Sequence, residues 1–170
     1  MTLHELFRNP TADGLEQLLK RLGNGESLAA LMGYPKVMLE ALYTHAYNCY
    51  TQANYAEAMR AFGLLMTYNH MDRRFHMGFA ACLQVQKKYD EAIKYYGTAT
   101  LLDPSEPSPV LHSVECFLAL KKFDEATNAL VRLGSMLKGN QRFAPLLRSI
   151  DATLARINDP SDVQSEPKGK

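Results

Sequence analysis

The sequence predicts an all-α protein built as a stack of helix–turn–helix units, and three observations carry that prediction. A short fragment returns every 34 residues: Asn54-Tyr55-Ala56-Glu57-Ala58, then Lys88-Tyr89-Asp90-Glu91-Ala92, then Lys122-Phe123-Asp124-Glu125-Ala126. A fixed period of that length marks repeats in which each unit needs a neighbour to bury its apolar face. Small residues recur in register. With units starting at Leu39, Arg73 and Pro107, position 8 holds Ala46, Ala80 and Val114, and position 20 holds Ala58, Ala92 and Ala126. Large side chains recur beside them: Tyr55, Tyr89 and Phe123 at position 17, and Phe62, Tyr96 and Leu130 at position 24. Small residues let two helices approach closely, and large ones fill the space between successive pairs.

The elements follow in order. Residues 1–38 form an N-terminal segment in which Leu15, Leu18, Leu19 and Leu22 follow i, i+3, i+4, i+7 spacing, an amphipathic helix ending near Gly23. A second short helix is expected over Ser27–Met32, closed by Gly33. The three units then occupy 39–72, 73–106 and 107–140. In the second, one helix is predicted over about Arg73–Gln86 and its mate over about Asp90–Leu102. Asp90, Glu91, Asp124 and Glu125 fall in the first turns of second helices, where the helix dipole favours negative charge. Pro104 and Pro107 punctuate the passage to the third unit. Within 141–158, Ala144–Ile157 reads as a helix carrying Leu146, Leu147, Ile150, Leu154 and Ile157 on one side, suited to cap the open end of the stack. Residues 159–170 are polar with Pro160, Pro167 and Gly169, and are expected to be a loose tail.

The periodic pattern matches the tetratricopeptide repeat, with small residues at positions 8, 20 and 27, an aromatic near 24 and proline at 32. The middle unit is complete, with Ala99 at position 27 and Pro104 at 32. The first has Leu65 and His70 at those places, and the third has Leu133 and Lys138.

Composition bounds the function. The chain has 170 residues, 46% of them hydrophobic, enough for one domain with a real core. Its 19 basic and 18 acidic residues are interspersed, with no Lys/Arg block, so no nucleic-acid partner is expected. No stretch approaches about 20 apolar residues, so none is expected to span a membrane. Met1-Thr2-Leu3-His4-Glu5-Leu6 lacks the basic and apolar regions of a secretory signal. Cys49, Cys82 and Cys116 lie at near-equivalent repeat positions and read as small buried apolar residues. A reducing compartment, the cytoplasm, is the expected location.

In tetratricopeptide stacks the first helix of each pair lines the concave face, chiefly through positions 2, 5, 9 and 12. The first unit supplies Glu40, Tyr43, Tyr47 and Tyr50; the second supplies Arg74, Met77, Ala81 and Gln84; the third supplies Ser108, Leu111, Glu115 and Leu118. Tyr43, Tyr47 and Tyr50 are spaced to share one helical face. Tyrosine suits a binding surface because its ring gives apolar contact while its hydroxyl stays wet or meets a peptide group. Gly78, mid-helix beside this face, costs about 1 kcal/mol relative to alanine. Room for an extended peptide or a tight helix contact would each explain it. Positions 5 and 9 lack the Lys and Asn that would grip a C-terminal carboxylate, so an apolar extended partner is expected.

No catalytic constellation stands out. There is no Gly-rich phosphate loop, no CxxC and no HExxH, and nothing resembles a nucleophile elbow. His70 and Asp72 with His76 lack the helical spacing of a metal pair, and no cofactor is expected. Lys87, Lys88, Lys121 and Lys122 fall on the convex side, where a scaffold joining folded partners would be met.

Three segments carry a more specific likeness. Leu39-Glu40-Ala41-Leu42-Tyr43-Thr44-His45-Ala46-Tyr47-Asn48-Cys49-Tyr50, Asn69-His70-Met71-Asp72-Arg73-Arg74-Phe75 and His112-Ser113-Val114-Glu115-Cys116 resemble motifs of the class II chaperones of type III secretion translocators. The resemblance covers roughly residues 10–140. It implies a bacterial cytoplasmic chaperone, not an enzyme, that keeps hydrophobic pore-forming translocators apart until secretion. It also implies that an extended client segment with proline and leucine anchors lies in the groove, on Tyr43, Tyr47, Tyr50, Met77, Gly78 and Ala81. Dimerisation through the N-terminal segment would involve Leu15, Leu18, Leu19 and Leu22. Some relatives also assist a transcription activator through protein contact. The chain departs from the pattern at Ala53-Asn54, where glycine is usual before the turn, and at Asn69, Met71 and His76.

Overall fold

The computed structural model describes residues 11–157 together with Glu5 and Arg8, and it is helical throughout, without strands among those residues. The tail expected over 159–170 lies outside the described residues, as does most of the first ten. Among the described residues, nine α-helices follow one another from Ala12 onward: α1 Ala12–Gly23, α2 Leu28–Met32, α3 Lys36–Thr51, α4 Tyr55–Tyr68, α5 Arg73–Val85, α6 Tyr89–Leu102, α7 Ser108–Ala119, α8 Phe123–Leu137 and α9 Ala144–Ile157. A single 3-10 turn, Gln141–Phe143, leads into α9.

Local chemistry explains the ends. Thr11 Oγ1 accepts from the Gly14 N–H at 3.1 Å and caps α1, and Ser27 Oγ does the same for Ala30 at the start of α2. Ser27 is therefore a cap rather than a helical residue. Gly33, at φ 75°, closes α2 in the left-handed region that glycine enters without steric cost. Asp72 Oδ1 accepts from the Arg74 N–H at 3.0 Å and starts α5. The three turns inside the helical pairs share one unusual conformation: Ala53, Lys87 and Lys121 have φ of 59°, 61° and 57°. None is glycine, so each carries a Cβ in a region that disfavours it.

Successive helices bury three linked clusters. The first gathers Ala46, Ala58, Phe62, Leu65 and Phe75 between α3, α4 and α5. The second joins Ala80, Leu83, Ala92, Tyr96 and Cys116 across α5, α6 and α7. The third unites Val114, Ala126, Leu130, Leu133 and Ile150, so α9 closes the end of the stack on α8. The small residues at positions 8 and 20 are fully or almost fully buried, which is what close helix approach requires. All three cysteines are free and buried, and burial pushes the Cys82 and Cys116 thiols up to about 11.

The N-terminal helix behaves differently. Gly14 is the only buried residue of α1, while Leu15, Leu19 and Leu22 are 53%, 60% and 49% exposed. Its apolar stripe has no cover within this chain's described residues. No helix among the described residues is long and apolar enough to cross a membrane.

Candidate peptide-binding groove

The inner face is made by α3, α5 and α7, and its first part is a ring-lined trough. Tyr43, Tyr47, Tyr50, Met77, Gly78 and Ala81 line one cavity of ≈ 420 Å³, with buried Phe62 beneath and His112 at the far side. Tyr47 is 53% exposed, whereas Tyr43 and Tyr50 are half-buried. Tyr43 stacks on Tyr47 with centroids 6.4 Å apart and meets Phe62 and Phe75 at 6.1 and 5.9 Å. Tyr50 packs edge-on to Tyr55 at 5.6 Å. The three rings therefore share one face, but two of them also anchor the core, and burial raises the phenol pKa of both Tyr43 and Tyr50.

Gly78 answers a packing requirement. A Cβ built there would stand 2.3 Å from Phe62 Cζ, closer than a Cβ contact allows, and Phe62 is 1% exposed within the packed core. The same missing side chain leaves the trough open above the ring.

Arg74 forms the polar wall. Its guanidinium donates to both Glu40 oxygens at 2.6 and 3.0 Å and to Asp72 Oδ2 at 2.7 Å, and its Cζ lies 4.8 Å from the Tyr43 ring centre. Planar donors matched to a carboxylate and stacked on a ring hold the side chain in place. The hydrogen bonds from Arg74 hold the Glu40 carboxyl below the usual carboxylate range.

A second cavity of ≈ 510 Å³ continues from the first, sharing Tyr50, Ala81 and His112, and adds Gln84, Tyr96 and Glu115. Leu111 and Leu118 do not line either cavity. They pack in the third cluster with Leu146, Leu147, Leu154 and Ile157 of the capping helix. His112 and Ala119 take part in the inner surface instead, residues that the position rule had passed over. The signal for His112 was present in the His112–Cys116 segment, singled out for its likeness rather than its position.

Stacked helical pairs with a 34-residue period define the class of tetratricopeptide-type proteins. A family profile described as Anaphase-promoting complex, cyclosome, subunit 3 matches residues 51–133. Low calcium response locus protein H of Yersinia pestis is 30% identical over 152 residues, covering 89% of each chain. The translocator chaperone SycD of Yersinia enterocolitica, solved in complex with a peptide of the translocator YopD, matches with a TM-score of 0.65 and 30% identity, covering 76% of this chain and 95% of that one. An alternative dimer of SycD matches with a TM-score of 0.64 and 32% identity, over 70% and 90% of the two chains. By these matches the chain belongs to the family of type III secretion translocator chaperones.

Proposed function

We propose that this protein is a chaperone that binds an extended segment of a hydrophobic type III secretion translocator in its concave groove, keeping the client soluble and unassembled in the bacterial cytoplasm before secretion. The observation that carries this reading is the open trough lined by Tyr43, Tyr47, Tyr50 and Met77 beside a glycine-made gap. Its rings offer apolar faces and wet hydroxyls to a chain that has no fold of its own. The work is binding, not bond chemistry: client segment held in the trough is withdrawn from collapse or premature assembly by mass action. SycD, solved with a YopD peptide, supports the client class, its dimer supports self-association of this chain, and the uncovered leucines of α1 are the surface we assign to that contact.

Tyr47 provides the test, because it is half exposed and removing it leaves the core intact. Tyr47→Ala is expected to weaken a client peptide by about 1–3 kcal/mol, as for an aromatic anchor at an interface. Isothermal calorimetry of the peptide against both proteins, with circular dichroism to check folding, reads the effect. Equal affinity in two equally folded proteins would remove Tyr47 from the groove. A scaffold role through the lysines expected on the convex side draws no comparable support, since Lys122 is already held by Asp90 at 2.7 Å and Lys87 lines the inner cavity instead.

A further inference from the structure

The second cavity is chemically unlike the first. Tyr96, fully buried, donates its hydroxyl to Gln84 Oε1 at 2.6 Å. That bond fixes which way the Gln84 amide faces, and its Nε2 then donates to Glu115 Oε2 at 2.9 Å. His112 Nδ1 lies 3.1 Å from the same oxygen, and the His112 ring stacks on Tyr96 with centroids 5.3 Å apart and planes 18° from parallel. Two groups from two helices thus converge on Oε2 of a side chain that is 58% exposed, while Oε1 has no partner among the described residues. A carboxylate held in advance, with one oxygen open to an aromatic-walled cavity, is an acceptor whose ordering cost is already met before a ligand arrives. Among the described residues, Glu115 is the only carboxylate lining the cavity. Lys87 is the other charge there, exposed at the rim and without an ion pair among the described residues.

The geometry points to a basic-residue subsite: Glu115, positioned by Gln84 and His112, receives a lysine or arginine of the client segment whose apolar anchors fill the neighbouring tyrosine trough. The subsite rests on the client-groove reading and narrows it, adding a charge requirement to an apolar one. Tyr50, half-buried where the two cavities meet, supplies ring surface for the aliphatic stem and a partial attraction for the cation.

A peptide scan tests it with the full-length protein. The probe is a short synthetic peptide with proline and leucine anchors on a Ser/Gln background, plus a set in which a single lysine is moved through every non-anchor position. The expected result is one position at which lysine tightens binding by roughly five- to tenfold, as for a partly exposed charge-assisted hydrogen bond. Norleucine at that position should lose the gain, and Glu115→Gln should bind the lysine and lysine-free peptides alike. Lysine that helps nowhere, or a gain that survives Glu115→Gln, overturns the subsite while leaving the trough in place. Failure of the lysine-free peptide to bind the wild type overturns the groove reading itself, and the subsite with it. The wild-type scan stands alone should the Glu115 variant fold poorly.

Discussion

At Gly78 two residue-scale effects oppose one another. Alanine in a helix interior normally gains about 1 kcal/mol over glycine. At this position the new methyl would meet Phe62 at 2.3 Å, and overpacking a closed core costs typically about 1–3 kcal/mol. The clash wins, so Gly78→Ala is expected to lower the urea midpoint, and Phe62→Leu in the same chain should recover part of the loss. A raised midpoint in the single variant would show that the ring has room to yield. The sequence could flag Gly78 as needing a reason but could not choose between helix contact and peptide, because Phe62 lies 16 positions upstream on another helix. The tyrosines tell a similar story: spacing along α3 placed three rings together, yet only the tertiary contacts of Tyr43 with Phe62 and Phe75 reveal its double duty.

Between elements, the bond from Glu40 on α3 to Arg74 on α5 ties the first unit to the second. The folded-state pKa of Glu40 is depressed, so its contribution is present above the ordinary carboxylate range and is lost as pH falls through the lower folded value. Both side chains are partly exposed, which keeps the effect small. Glu40→Gln is therefore expected to melt below the wild type at neutral pH, with the difference shrinking as the buffer is acidified and with added salt. A gap that stays constant with pH would assign the loss to packing instead. The helices themselves were legible from a 34-residue period, their ends moving by a residue where Ser27 caps rather than joins α2 and where Tyr89 rather than Asp90 opens α6. The third unit was less so. A position rule assumes that every first helix meets the same neighbours, but α7 has the capping helix beyond it. Leu111 and Leu118 are partly buried against the cluster of Val114, Leu130 and Leu133 that the capping helix completes, while His112 and Glu115 line the groove.

For the molecule as a whole, the unpartnered leucines of α1 set the expected state in solution. Leu15, Leu19 and Leu22 turned to serine together should shift sedimentation from dimer to monomer at micromolar concentration, while the helical signal of the repeats is unchanged. A wild-type protein that sediments as a monomer would leave that stripe without the role given to it.

The left-handed turns at Ala53, Lys87 and Lys121 have a different kind of consequence. Each holds a side chain where glycine would relieve crowding by about 0.5–1 kcal/mol, net of the extra freedom glycine has when unfolded. The sites are one repeat apart in the sequence, in three separate turns, so their effects should add. Glycine at all three is expected to raise the thermal midpoint stepwise, one increment per turn, in a differential scanning trace. Thermal headroom is thus left at three matching corners, two of which, Ala53 and Lys121, line neither cavity and can change without redesigning what the protein holds.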